Sequence, residues 1–207
     1  MSFELTSEEG VFLLKLARNA VRIRLKDGTT MSVPEGVSSK LNKKCGVFVT
    51  LNSIKQKRKQ LRGCIGLPYP TNPLAQAVIE SAINSATQDP RFPPVALNEL
   101  DHLLFEVSVL TPPELIEVEK PTIYPLKIKV GRDGLIVERG YYKGLLLPQV
   151  PVEWNWDEEQ FLCQCCIKAG LSPDCWVLND TKIYTFSCII AQETTPNGPV
   201  TMMDMRK

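Results

Sequence analysis

Apolar residues recur at helical spacing near the start of the chain. Val11, Leu14, Ala17, Val21 and Leu25 form one stripe, widened by Phe12, Leu13, Leu16, Ala20 and Ile23. Thr6 followed by Glu9 is a capping-box pattern. The spacing predicts a helix over about 7–25, closed before Asp27-Gly28, and then a loop over 28–44. β-branched and apolar enrichment predicts strands at 47–52 (VFVTLN) and 60–66 (QLRGCIG), joined by a polar, lysine-rich hairpin tip. Thr71 and Pro73 open a second helix along Leu74, Ala77, Val78, Ala82 and Ile83, which Pro90 stops. In LLFEVSVL (103–110), Phe105, Val107 and Val109 share one face of a strand, and Glu106 and Ser108 the other.

The second half reads as a hairpin over 128–140 turning at Asp133-Gly134, and a further strand over 144–150. A third helix is capped by Asp157 with Gln160 and ended by Gly170, before a last strand over 182–190. Residues beyond about 195, spotted with Pro and Gly, read as a loose tail over 196–207. Hairpins make the sheet mainly antiparallel, so the fold class is α+β. With no internal repeat and no break in composition, any subdomains are interleaved.

Composition narrows the function classes. A chain of 207 residues with a net charge of +1 has no global field drawing it to nucleic acid or membrane. Charges come early, no basic leader precedes an apolar run, and no run approaches the roughly 20 residues of a spanning helix. The expected location is therefore cytoplasmic, where seven cysteines are expected as free thiols.

Five stretches are candidates for chemistry. In LRGCIG (61–66), Cys64 stands between Gly63 and Gly66, which lack a Cβ and permit close approach. Simple strand alternation puts Arg62 on the face of Cys64, where it would favour a thiolate. Backbone N–H groups from Gly63 to Gly66 would form an anion nest. The competing reading is a small packed thiol. His102 is the one histidine and reads as a residue at a strand entrance; Glu106 is an alternative acid or base. In DPRFPP (89–94), Asp89 and Arg91 flank a rigid proline, either as a fixed pair facing a ligand or as an internal pair with Phe92 in the core. Cys163, Cys165, Cys166 and Cys175 do not match the paired ligand spacing of zinc sites and read as core. KQKRKQLR (55–62) reads as a solvated hairpin tip, with phosphate contact as the alternative. Gln149 and Glu153 would flank a strand end, beside Trp154 and Trp156.

LRGCIG, DPRFPP, EVSVLTPPE, KGLLLPQVPVEW and CIKAGLSPDCW occur in the order seen in the AMMECR-type domain family, named from the human Alport-syndrome, midface-hypoplasia and elliptocytosis chromosomal region. The chain resembles that family over about residues 5–195, as one domain of two interleaved subdomains. The resemblance implies a mainly antiparallel sheet of about five strands flanked by helices, a smaller inserted subdomain, and a cleft between the two. It implies no defined reaction; roles in translation, transcription or replication have been suggested for the family. Carried over from its motifs are Arg62, Gly63, Cys64, Gly66, Asp89, Arg91, Phe92, Glu106, Ser108, Gln149 and Glu153. The expectation is a cleft enzyme with Cys64 as nucleophile or contact thiol, Arg62 as its cation, and Glu106 or Glu153 handling protons. The alternative is a non-catalytic module for a Memo-type protein or a radical S-adenosylmethionine protein, which some relatives carry fused or encoded alongside. A nucleic-acid accessory is a third, weaker expectation.

Overall fold

The structure, a computed structural model, describes residues 4–55 and 58–206. The first helix, α1 (Ser7–Asp27), is capped as its sequence predicts: Thr6 Oγ1 accepts from the Glu9 N–H, and the Glu9 carboxylate accepts from the Thr6 N–H. Gly28, at φ 68°, closes it in the left-handed conformation that glycine adopts without a steric cost. The hairpin β1 (Gly46–Lys55) and β2 (Arg58–Leu67) follows, with residues 56–57 of its tip outside the described residues. Then come α2 (Leu74–Thr87), a 3-10 turn over Leu97–His102, and β3 (Leu103–Leu110).

β1 alternates as a half-covered strand should. Val47, Val49 and Leu51 are fully buried among α1 and α2 residues such as Leu13, Ala17, Val78 and Ala82, while Phe48, Thr50 and Asn52 face the other way. Each fully buried Leu or Val on this face contributes about 1.5–3 kcal/mol relative to exposure. Ser85 of α2 binds the helix to the sheet: the Ile65 N–H donates to its Oγ, and the Oγ also lies 2.7 Å from the Val49 carbonyl.

The remaining elements are β4 (Glu114–Leu115), α3 (Tyr124–Lys127), β5 (Gly134–Arg139), β6 (Tyr142–Leu146), α4 (Gln149–Trp154), α5 (Glu158–Lys168), β7 (Lys182–Phe186), β8 (Cys188–Glu193) and β9 (Val200–Asp204). The fold is α+β, with helices against two sheets: five strands in the order β2-β1-β3-β8-β9 and four in the order β4-β7-β5-β6. β1 pairs antiparallel with β2 and β3, and β5 with β6 and β7. The chain divides into two compact units. The first runs up to Leu110 and resumes over Ile189–Met203; the second is the intervening Thr111–Cys188 with the last residues from Asp204. No helix among the described residues is long and apolar enough to cross a membrane.

Several local expectations give way. The 128–140 stretch turns at Gly140 (φ 59°) and Tyr141, since Arg139 pairs with Tyr142; Asp133 instead caps a tight turn by accepting the Lys129 N–H. The strand expected over 144–150 stops at Leu146, and Gln149–Trp154 is a short helix behind Pro148. The single strand expected over 182–190 is two, because Ser187 diverts its backbone N–H and carbonyl to Thr111. The tail beyond 195 is not loose throughout. Its Pro and Gly build a turn, with Asn197 at φ 57° and the Thr194 N–H donating to the Pro199 carbonyl, which returns Val200–Asp204 to the sheet as β9.

Candidate functional site

β2 is an edge strand, and its pairing with β1 is irregular at one point. Leu51 opposes Gly63 and Asn52 opposes Leu61, so Arg62 is the extra residue of a bulge. The bulge breaks the alternation that would put Arg62 beside Cys64. The Arg62 side chain, 14% exposed, turns to the proline loop instead. Its Nε and Nη2 donate to both carboxylate oxygens of Glu99 at 2.9 and 3.0 Å, and Nη1 donates to the Pro93 carbonyl at 2.8 Å. Arg62 is thus a clamp on the 93–99 segment and not the cation of the thiol.

Gly63 faces α2. A Cβ there would lie 2.1 Å from the Ser85 carbonyl oxygen, so only glycine lets the helix backbone approach. Cys64 faces away from α2. It stands opposite Thr50, which stands opposite Glu106 on β3, so the three side chains form one row across three strands. The Thr50 hydroxyl donates to Cys64 Sγ at 3.3 Å. The adjacent row is Gly66, Phe48 and Ser108. The Phe48 ring lies against Gly66, where a Cβ would come within 2.4 Å of it. Ser108 is 1% exposed, and its Oγ has no hydrogen-bond partner among the described residues. A buried hydroxyl without a partner costs about 1–3 kcal/mol, which makes it a natural contact for a polar group brought from outside.

The backbone of Cys64 is held from the proline loop. Its N–H donates to Asp89 Oδ2 at 2.8 Å, and its carbonyl accepts from Arg91 Nη2 at 3.1 Å. Asp89 and Arg91 are themselves paired two-fold, at 2.9 and 2.7 Å. Asp89 is 4% exposed whereas the Arg91 side chain is 53% exposed, so the pair is buried on its acidic side only. Hydrogen bonds from Arg91, and from the Cys64 and Arg91 backbone N–H groups, hold the Asp89 carboxyl at about 2. Phe92 is half-buried beneath the Arg91 guanidinium, 5.6 Å from its ring centre. Because the Cys64 and Ile65 N–H groups are already occupied by Asp89 and Ser85, they do not form the anion nest that glycine spacing predicts.

Burial pushes the Cys64 thiol up from its ordinary value. The Thr50 hydroxyl and the Arg91 guanidinium pull it back, and the charges of Glu106 and Asp89 add to the rise. The resting thiol is therefore neutral, where a neighbouring Arg62 would have favoured a thiolate. In the second unit, Gln149 opens α4 with its Oε1 buried and unpartnered among the described residues, while Glu153 is exposed on the same helix. His102 is exposed at the end of the 3-10 turn. Cys165, Cys166 and Cys175 are fully buried in the second unit's core. Among the described residues no group of three or more His, Cys, Asp and Glu is placed to hold a metal.

The sequence profile of AMMECR1 matches residues 14–191. The chain belongs to the AMMECR1 family. Protein PH0010 of Pyrococcus horikoshii is 57% identical over 201 residues, covering 97% of each chain. Protein MJ0810 of Methanocaldococcus jannaschii is 51% identical over 196 residues, covering 95% of this chain and 96% of its own. The crystal structure of PH0010 superposes with a TM-score of 0.91 at 55% identity, over 97% of this chain and 98% of that one. In this AMMECR1-family chain, the site also draws on residues that the sequence motifs do not mark. Thr50 and Phe48 enter through register alone, Ser85 through the approach of α2, and Glu99 as the partner of Arg62. The alternation of β1 and β3, read together, was the one signal in the sequence that would have put Thr50 between Cys64 and Glu106.

Proposed function

We propose that the chain is a thiol-dependent enzyme acting on a small polar ligand at the row Cys64–Thr50–Glu106. The observation that carries this reading is the row itself, with the unpartnered Ser108 hydroxyl one step along the same sheet face. The neutral Cys64 thiol contacts the ligand, Glu106 accepts its proton as the sulfur attacks, and the Thr50 hydroxyl donates to the developing thiolate. Arg91 supplies the nearby positive charge, and Arg62 holds the loop that carries Arg91. The base role is given to Glu106 over Glu153 because Glu106 shares the row with the thiol.

Iodoacetamide alkylation of native protein across pH tests the reading. Cys64 is expected to react with a midpoint above that of free cysteine, and Glu106→Gln is expected to lower that midpoint by removing a negative charge. A Cys64 that never alkylates in the native state overturns the proposal.

The raised thiol also favours a second reading, since a neutral thiol serves equally as a packing contact. Here the chain is a non-catalytic module for a Memo-type or radical S-adenosylmethionine protein. Cys64→Ser separates the two: a module still binds its partner when the thiol is replaced by a hydroxyl, whereas a thiol enzyme loses turnover.

A further inference from the structure

A guanidinium has five N–H donors, and Arg91 commits only part of its set. Nε and one N–H of Nη2 grip the Asp89 carboxylate at 2.9 and 2.7 Å, and Nη2 also donates to the Cys64 carbonyl at 3.1 Å. The N–H groups of Nη1 have no hydrogen bond among the described residues. The group is held still by what surrounds it. Pro90, Pro93 and Pro94 stiffen its loop, the Phe92 N–H donates to the Asp89 carbonyl, and the Phe92 ring centre lies 5.6 Å from the guanidinium carbon. The Arg91 side chain is nonetheless 53% exposed. It is a fixed cation that presents free donors to solvent, bonded to the same residue that carries the candidate thiol. Arg62 offers nothing comparable, because each of its nitrogens is engaged by Glu99 or by the carbonyls of Pro93 and Pro94.

We propose that Arg91 Nη1 is the recognition group of the Cys64 site, and that the substrate is a small carboxylate with its charge on Nη1 and its electrophilic carbon toward Cys64 Sγ. The inference rests on the thiol-enzyme reading of the row. A guanidinium that is already fixed loses little rotamer freedom on taking one more partner. Asp89 does not compete for that face. It is 4% exposed, and its oxygens already accept from the Cys64 N–H, the Arg91 N–H, Nε and Nη2. Glu106 stands at the other end of the row, two strands from Cys64, or about 10 Å at sheet spacing. The row is therefore polar along its length, and it orients the ligand: the carboxylate at the β2 edge beside Arg91, the uncharged end toward Thr50 and Glu106. The same charges set the size of the anion. One half-exposed cation, set against the carboxylates of Asp89 and Glu106, matches a single negative charge, which favours a carboxylate over a phosphate dianion.

Iodoacetate and iodoacetamide share one reaction and differ in charge. With either, the Cys64 sulfur–carbon bond forms as the carbon–iodine bond breaks, iodide leaves, and the thiol proton passes to Glu106. The test measures both rates at Cys64 by peptide mapping of the native full chain at low ionic strength, with free cysteine in parallel. The ratio of iodoacetate to iodoacetamide rates is expected to exceed that of free cysteine by about fivefold or more, and to fall as salt is added. Arg91→Gln is expected to bring the ratio down to the free-cysteine value or below it, since Glu106 and Asp89 remain; the ratio cancels any change in the thiol's own reactivity. Propionate is expected to slow iodoacetamide at Cys64 of the unsubstituted chain where propionamide does not, a measurement that needs no variant to fold. A ratio equal to that of free cysteine, with iodoacetamide still reacting, overturns the carboxylate site and leaves the thiol reading standing. A Cys64 closed to both reagents overturns both. A high ratio that survives in Arg91→Gln overturns the role of Arg91, and inorganic phosphate protecting better than propionate overturns the choice of a carboxylate.

Discussion

Asp89→Asn is the substitution whose effect the structure specifies most fully. The carboxylate accepts from the Cys64 N–H, the Arg91 N–H and two guanidinium nitrogens, while being 4% exposed. Held at about 2 against an ordinary 3.8, it stabilises the native state by about 2 kcal/mol wherever it is ionised in both native and unfolded chains. A depressed carboxyl contributes fully above its unfolded value and loses that contribution as pH falls through its folded value. The window of loss therefore runs from near 3.8 down to about 2. Asparagine keeps the shape and can still accept the Cys64 N–H, so it removes the charge without opening a cavity. Urea unfolding followed by far-UV circular dichroism at pH 7 and at stepwise lower pH measures the effect. The variant is expected to be less stable by about 2 kcal/mol at pH 7, with the gap narrowing below pH 4 and nearly closed at about pH 2. A gap of equal size at every pH would refute the reasoning, because the loss would then owe nothing to the charge.

Gly63→Ala should destabilise the first unit by about 3 kcal/mol or more, since the new Cβ meets the Ser85 backbone at 2.1 Å and α2 must move; a thermal melt that matches the unsubstituted protein would contradict the close approach. Arg62→Ala should cost about 1–2 kcal/mol, less than a fully buried pair because Glu99 is 38% exposed, and should leave the Cys64 alkylation midpoint unchanged. A midpoint that rises in Arg62→Ala would return Arg62 to the thiol's neighbourhood.

Much of the first unit was legible because its signals are local. The Thr6–Glu9 cap and the alternation of Phe105, Val107 and Val109 each lie within a few residues, as does the Asp157–Gln160 cap of the second unit, and each forms as read. What escaped depends on distant partners. Arg62 leaves the face of Cys64 because Glu99, 37 residues away, accepts it across a bulge that alternation does not encode. Ser187 divides the 182–190 stretch into two strands because Thr111, 76 residues earlier, takes its backbone. Pro and Gly near the end of the chain read as looseness, and the pairing of Val200–Asp204 beside β8 is what a local reading does not encode. At the candidate site the motifs named Cys64 and Glu106, but their relation through Thr50 is a matter of register.

The first unit is completed by Ile189–Met203, which follow the whole of the intervening Thr111–Cys188 segment along the chain. Arg18 of α1 is buried against Glu193 of β8, 175 residues later, and also donates to the carbonyls of Leu100 and Leu103 while lying 4.3 Å from the Phe105 ring centre. At synthesis rates of about 5–20 residues per second, Arg18 waits roughly 10–35 s for its carboxylate. Until then, closing the nascent core around α1 would bury an uncompensated cation. The buried pair thus makes closure of the core around α1 depend on β8, the strand that carries its counter-charge.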